Sequence, residues 1–159
     1  MKRVRFNDVL EIKNGRNQRQ VENPEGKYPI YGSGGIMGYA DDYICSANTV
    51  IVGRKGNINK PLYVEEPFWN VDTAFGLEAN RKLLLPRYLY YFCRRFDFER
   101  LNKAVTIPSL TKSDLLNIEM DLPTHNEQEQ IVEILYKIET VIEKRHTELE
   151  TLDELIKSC

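Results

Sequence analysis

Two stretches of this sequence hold the side chains best suited to chemistry with nucleic acid. Lys13-Asn14-Gly15-Arg16-Asn17-Gln18-Arg19-Gln20 combines Arg with four amides. Gly53-Arg54-Lys55-Gly56-Asn57-Ile58-Asn59-Lys60-Pro61 places three cations and two Asn between glycines and a proline. Arg and carboxamides are the groups that hydrogen-bond base edges and phosphate oxygens. The candidate contacts are Arg16, Gln18, Arg19, Arg54, Lys55, Asn57, Asn59 and Lys60, with Ser33 added from a Gly-rich turn. The same residues also suit plain solvated loops, so the case for binding rests on what the rest of the chain does with them.

Bond-breaking chemistry finds less support. Asp8 precedes Glu11-Ile12-Lys13, a carboxylate followed by the ExK element of metal-dependent nucleases. Only two residues separate Asp8 from Glu11, whereas such nucleases place the first carboxylate on a separate strand. Asn23-Pro24-Glu25-Gly26 is not the Asn-Pro-Pro-Tyr loop of amino-methyltransferases. Gly32-Ser33-Gly34 lacks the glycine spacing of a nucleophile elbow and has no His partner. No GxxxxGK[ST] or GxGxxG occurs, so a phosphate-cradling loop is unsupported. His125 and His146 lie near or on one helix, and Cys45, Cys93 and Cys159 form no CxxC. That excludes a zinc site and is ordinary for reduced thiols in a cytoplasmic protein.

The elements that must position these loops are short. Phe6 to Ile12 reads as one helical turn, with Asn7 able to cap it, leading into an extended piece. Tyr28 to Tyr43 is rich in Gly and Tyr and reads as strand, turn, strand. Thr49-Val50-Ile51-Val52 is a buried β-branched strand, and Leu62-Tyr63-Val64 resumes after the basic turn, so 50–64 is a hairpin. Phe68 to Val71 and Thr73 to Leu77 add strands. Pro86 opens a helix with Leu85, Leu89, Phe92 and Phe96 along one stripe. Ala104 to Leu110 is an extended loop, Thr111 caps a short helix, and Ile118, Met120 and Leu122 alternate as a half-buried strand.

The last quarter is different in kind. Ile131, Leu135, Ile138, Ile142, Arg145, Leu149, Leu152 and Ile156 are spaced 4, 3, 4, 3, 4, 3 and 4 apart, an unbroken heptad seam. Pro123 and a Thr124-to-Glu127 capping box, with Asn126 as a rival cap, mark its start. Such a helix is about 50 Å long, too long for one small domain to cover, so it projects and seeks a partner helix. Arg145 in the seam either sets register or snorkels to its edge.

Composition is consistent with that split. The chain has 159 residues, 42% of them hydrophobic, enough for a core. Net charge is −2, but residues 1–122 hold 18 Lys and Arg against 15 Asp and Glu (+3), and residues 123–159 hold 4 against 9 (−5). A mildly basic body carries an acidic helix. The expected fold is α+β: a curled mixed β-sheet domain with short helices over 1–122, then a long coiled-coil helix over 123–159. No apolar run approaches the roughly 20 residues of a membrane span, and Met1 to Phe6 carries charge with no apolar region after it, so a secretory signal is not expected.

The order of several segments resembles a known family. Tyr28-Pro29-Ile30-Tyr31-Gly32-Ser33-Gly34-Gly35, then Gly53-Arg54-Lys55-Gly56, then Thr106-Ile107-Pro108-Ser109-Leu110-Thr111, then Leu122-Pro123 and Glu127-Gln128-Glu129-Gln130-Ile131-Val132 are similar to the specificity subunits of type I restriction–modification systems. The resemblance spans nearly the whole chain. It implies a target-recognition domain on a spacer helix, with no catalysis of its own. A complete specificity subunit resembles two such units in tandem, so this chain looks like a half-subunit. The resemblance further implies double-stranded DNA as ligand and DNA methyltransferase subunits as partners, with restriction or translocase subunits beyond them. S-adenosylmethionine and Mg-ATP belong to those partners, and this chain needs no cofactor. One domain makes few base contacts at about 1–3 kcal/mol each, so a homodimer through the heptads, reading a palindromic bipartite site, is expected. The competing readings are a coiled-coil protein-interaction adaptor without DNA specificity and, further off, a small metal-dependent nuclease.

Overall fold

A computed structural model describes residues 1–158; Cys159 lies outside the described residues. The order is β1 (Lys2–Arg5), α1 (Phe6–Val9), β2 (Leu10–Lys13), β3 (Tyr28–Gly32), β4 (Gly35–Ala40), β5 (Thr49–Gly53), β6 (Leu62–Val64), β7 (Trp69–Asn70), β8 (Ala74–Ala79), α2 (Pro86–Arg95), a 3-10 turn (Phe98–Leu101), α3 (Lys112–Leu116), β9 (Glu119–Leu122) and α4 (His125–Lys157). The fold is α+β, as the periodicities predict. The predicted single curled sheet is instead three small ones: β1-β9, β2-β8-β5-β6 and β4-β3-β7. Among the described residues only the short β3–β7 pair is parallel; the other pairs are antiparallel.

A buried amide explains why the sheets part where they do. Asn70 ends β7 fully buried, donating from Nδ2 to the Ala74 carbonyl at 2.8 Å and the Lys13 carbonyl at 3.3 Å. Its Oδ1 accepts from the Cys45 thiol at 3.4 Å. The side chain thus takes over backbone bonding at the corner where one sheet stops and the next begins, and no buried polar group is left unmet there.

Most of the core lies between the four-stranded sheet and the helices. Val50, Val52, Phe75 and Leu77 meet Leu84, Leu89, Cys93, Phe98 and Leu115. Helix α2 starts at Pro86, which already has the φ a first helical turn requires. Its buried residues are Leu89, Tyr91 and Cys93, while Phe92 and Phe96 are half-buried and stack on each other at 5.8 Å. Strand β1 closes the domain, pairing Val4 with Met120 across 116 residues of chain. Thr111 caps α3, its Oγ1 accepting from the Asp114 amide at 3.1 Å. The α1 turn is closed by the Asp8 carboxylate accepting from the Arg5 amide at 2.9 Å rather than by Asn7.

Helix α4 begins where the capping pattern puts it. Thr124 Oγ1 accepts from the Glu127 amide at 3.2 Å. The helix runs 33 residues to Lys157, about 50 Å. Its first four turns lie against α2; beyond them its side chains are exposed. Among the described residues no helix is long and apolar enough to cross a membrane.

Candidate nucleic-acid interface

The basic hairpin tip is held by its backbone, which leaves its side chains outward. The Arg54 amide donates to the Thr73 carbonyl at 2.7 Å, and the Leu110 amide donates to the Arg54 carbonyl at 2.8 Å. Lys55 bridges to Ser109, and the Gly56 amide donates to the Pro108 carbonyl at 3.0 Å. Gly53 is required here, since a Cβ would stand 2.2 Å from the Asn57 carbonyl oxygen. Gly56 sits at φ +84, a left-handed turn that glycine adopts freely. The turn is then anchored inward by Ile58, almost fully buried, while Arg54, Lys55, Asn57 and Lys60 are exposed.

The β3–β4 turn comes to the same place. Ser33 Oγ approaches Gly56, and Gly34 faces the Asn57 amide. Ser33, Arg54, Lys55 and Asn57 therefore share one edge, joined there by the loop from Val105 to Ser109. In that loop Val105 is 98% exposed and Ile107 62% exposed, two apolar side chains open to solvent.

The 13–20 loop is held against the 69–73 segment, which also holds the basic turn. The Arg16 amide donates to the Asn70 carbonyl at 2.9 Å, and Trp69 Nε1 donates to the Arg16 carbonyl at 2.9 Å. The guanidinium of Arg16 lies 5.1 Å from the Trp69 ring centre, a cation–π contact that presents a preset charge. Gly15 must be glycine because a Cβ would meet the Val71 carbonyl. Two residues further on, the Asp72 carbonyl accepts from Arg54 Nη1 at 3.3 Å. Arg19 is exposed. The Gln18 carbonyl accepts from the Val21 and Glu22 amides, with its side chain half-exposed.

Asn59 stands apart from the other candidates. Its Oδ1 accepts from the Phe98 amide at 2.8 Å and its Nδ2 donates to Asp97 at 3.3 Å. The amide is thereby engaged in tying the basic turn to the 3-10 turn. Of the carboxylates weighed for catalysis, Asp8 caps α1 and Glu11 pairs with Lys13 at 3.5 Å.

On α4 the heptad residues divide in two. Ile131 and Leu135 are half-buried beside α2. Ile138, Ile142, Leu149, Leu152 and Ile156 are 50–65% exposed, and Arg145 lies exposed on the same line. Ile134 and Val141 widen the stripe by one heptad position. An open groove of about 430 Å³ between α2 and α4 is lined by Tyr91, Arg94, Leu135, Ile138, Glu139 and Ile142, among others.

Side chains missed at the sequence level fasten this junction. The Tyr91 hydroxyl donates to Glu139 at 2.8 Å, and Arg94 pairs with Glu139 at 3.3 Å. Burial, then the bond to the Glu139 carboxylate, pushes the Tyr91 phenol up to about 12. Arg87 lies over Tyr63 at 4.4 Å and Tyr136 at 5.1 Å. Burial also pushes the Cys45 thiol up to about 12 and raises the Cys93 thiol as well.

Polar loops held by backbone bonds meet around the basic hairpin tip of this small α+β domain, and a half-exposed helix follows it. The family comparison is specific. A family model described as the type I restriction modification DNA specificity domain matches residues 1–154, and the chain belongs to that family. It is 28% identical over 140 residues to a Mycoplasma pneumoniae protein described as a type I specificity subunit, covering 83% of this chain and 46% of that one. It is 20% identical over 159 residues to the specificity subunit of the type I restriction enzyme EcoDI of Escherichia coli, covering 98% of this chain and 35% of the relative. Among solved structures, the S subunit from M. genitalium superposes with a TM-score of 0.73 at 22% identity, over 90% of this chain and 40% of that one. HsdS from Thermoanaerobacter tengcongensis gives 0.73 at 19% identity, over 90% and 38%. The chain thus spans less than half the length of these relatives.

Proposed function

We propose that this chain is a DNA-recognition half-subunit of a type I restriction–modification assembly. Its domain over 1–122 reads one half-site. Its helix over 123–159 pairs with a second copy in antiparallel coiled-coil fashion, so two domains face a palindromic bipartite sequence. The contacts fall to Arg16, Gln18, Arg19, Ser33, Arg54, Lys55, Asn57 and Lys60, with Asn59 holding the turn that presents them. Methyltransferase subunits dock along the helices and bring S-adenosylmethionine. Restriction subunits, with Mg-ATP, join beyond them. The chain itself carries out no catalysis and works in the cytoplasm.

The observation that carries this reading is the exposed seam. Ile142, Leu149, Leu152 and Ile156 are 54–65% exposed along one line of the helix. Covering what remains exposed is worth roughly 1–2 kcal/mol per side chain. Eight such side chains in a symmetric pair give about 8–16 kcal/mol, against roughly 4–15 kcal/mol for the freedom lost on association. That balance is close, so Ile138 and the added width at Ile134 and Val141 count. Arg145 disfavours registers that bury its charge.

Sedimentation velocity tests the pairing. Leu135 is half-buried against α2, so substitution there would disturb the domain as well as the seam. Leu149→Glu with Leu152→Glu is cleaner, since both side chains are exposed. The wild type is expected to sediment as a dimer and the double variant as a folded monomer. A variant that remains dimeric places the interface elsewhere.

A further inference from the structure

The join between recognition domain and helix turns on one side chain. Gln128, in the first turn of α4, is fully buried. Its Oε1 accepts from the Leu85 amide at 2.8 Å. Its Nε2 donates to the Leu83 carbonyl at 2.9 Å and to the Pro123 carbonyl at 3.0 Å. One amide thus binds three pieces of chain: the loop entering α2, the residue at which β9 turns into α4, and α4 itself. Leu85 is the N-cap residue of α2, and Gln128, 43 residues away, accepts from its amide, one of the N–H groups at a helix start that have no intrahelical partner.

An apolar contact at this point would allow the helix to slide or roll. Hydrogen bonds weaken steeply off axis, so an amide whose two donors and one acceptor are met by backbone groups of the 83–85 loop and of Pro123 sets an orientation. Tyr91 and Arg94 on Glu139, about 16 Å further along the helix, make a second attachment at a distance from the first.

We propose that Gln128 is the positioning residue that fixes the angle at which α4 leaves the recognition domain, and through it the number of base pairs accepted between the two half-sites. This rests on the bipartite reading above. From Gln128 to Ile156 the helix extends about 42 Å. A tilt of about 5° at its base moves the far end by roughly 4 Å, close to one base-pair rise. A small loosening at Gln128 therefore becomes a whole base-pair error in spacing, with every DNA-contacting residue untouched.

Gln128→Glu keeps the shape but cannot donate to two carbonyls when ionised, and Gln128→Met keeps the volume and drops all three bonds. Near-ultraviolet circular dichroism shows which variant retains native packing, and that one is used. Two readouts are taken. Spin labels at Glu25→Cys and Glu148→Cys, in a Cys159→Ser background diluted with unlabelled chain, report the domain-to-helix distance distribution. Selection from a random duplex pool reports the gap between recovered half-sites. Wild type is expected to give a narrow distance distribution and a single gap length. The folded variant should give a broadened distribution and two or more gap lengths around unchanged half-sites. A folded variant with the wild-type gap and distance width overturns the assignment. A wild type that recovers no paired half-sites overturns the bipartite reading, and this inference with it.

Discussion

Removing the Arg54 and Lys55 side chains together should flatten the salt dependence of DNA binding by a calculable amount. Both are exposed, and the loop that carries them is held by backbone bonds to Thr73, Pro108 and Leu110. The Arg54→Ala, Lys55→Ala variant therefore loses only one side-chain bond, to the Asp72 carbonyl at 3.3 Å in an exposed setting. Stability should change by no more than about 0.5 kcal/mol per substitution. Each phosphate contact contributes about −0.9 to the slope of log K against log salt. Two contacts per domain amount to about 1.8, and a symmetric dimer with both domains engaged loses about 3.6. Fluorescence anisotropy on a labelled duplex, between about 50 mM and 200 mM salt, reads the slope for wild type and variant. An unchanged slope in a variant with wild-type thermal unfolding would refute the placement of phosphate at this edge.

Three further outcomes follow from the geometry. Gly53→Ala drives a Cβ to 2.2 Å from the Asn57 carbonyl, so it should destabilise by about 1–3 kcal/mol and weaken DNA binding. Gly34→Ala, which meets only the Asn57 side chain at 3.3 Å, should leave the thermal midpoint close to wild type; equal midpoints for the two variants would contradict the loop packing. Tyr91 holds its proton more tightly when folded, up to about 12 from a usual 10. Its contribution is therefore complete below pH 10 and lost as pH rises through 12. Tyr91→Phe should remove part of the alkaline decline in stability over that window, measured by denaturant unfolding; a decline unchanged in the variant counts against the Tyr91–Glu139 bond. With Cys159→Ser, native protein should show no fast reaction of Cys45 or Cys93 with a disulfide reagent, because both are buried and their thiols are pushed up. Rapid labelling would show that the core opens.

What could be read from the sequence was what local pattern controls. The cap at Thr124, the length of the last helix, Pro86 as a helix start, and the 50–64 hairpin each depend on a few neighbouring residues, and each stands where the spacing puts it. Strand β1 escaped notice because Lys2-Arg3-Val4-Arg5 has one inward residue and shows its purpose only opposite Glu119–Leu122. The division into three sheets was equally hidden, since it depends on the buried amide of Asn70 meeting carbonyls on two other segments. The two basic loops were recognisable by residue type, but their common anchorage on the 69–73 segment, and the approach of Ser33 to Gly56, are tertiary facts. Asn59 shows the limit of composition: an amide in a basic loop looks like a DNA contact, and its neighbours here are Asp97 and Phe98. Gln128 did leave a trace. Continuing the heptad backwards from Ile131 by three residues lands on it, and a polar residue in an apolar register asks for a buried partner.

The central claim is that two copies of this chain hold two recognition edges at a set distance on DNA. Selection of bound duplexes from a random pool tests it most directly. The recovered sequences are expected to share an inverted repeat whose halves are separated by a gap of constant length and variable sequence. Recovery of a single uninterrupted motif, or of no shared sequence at all, would contradict it.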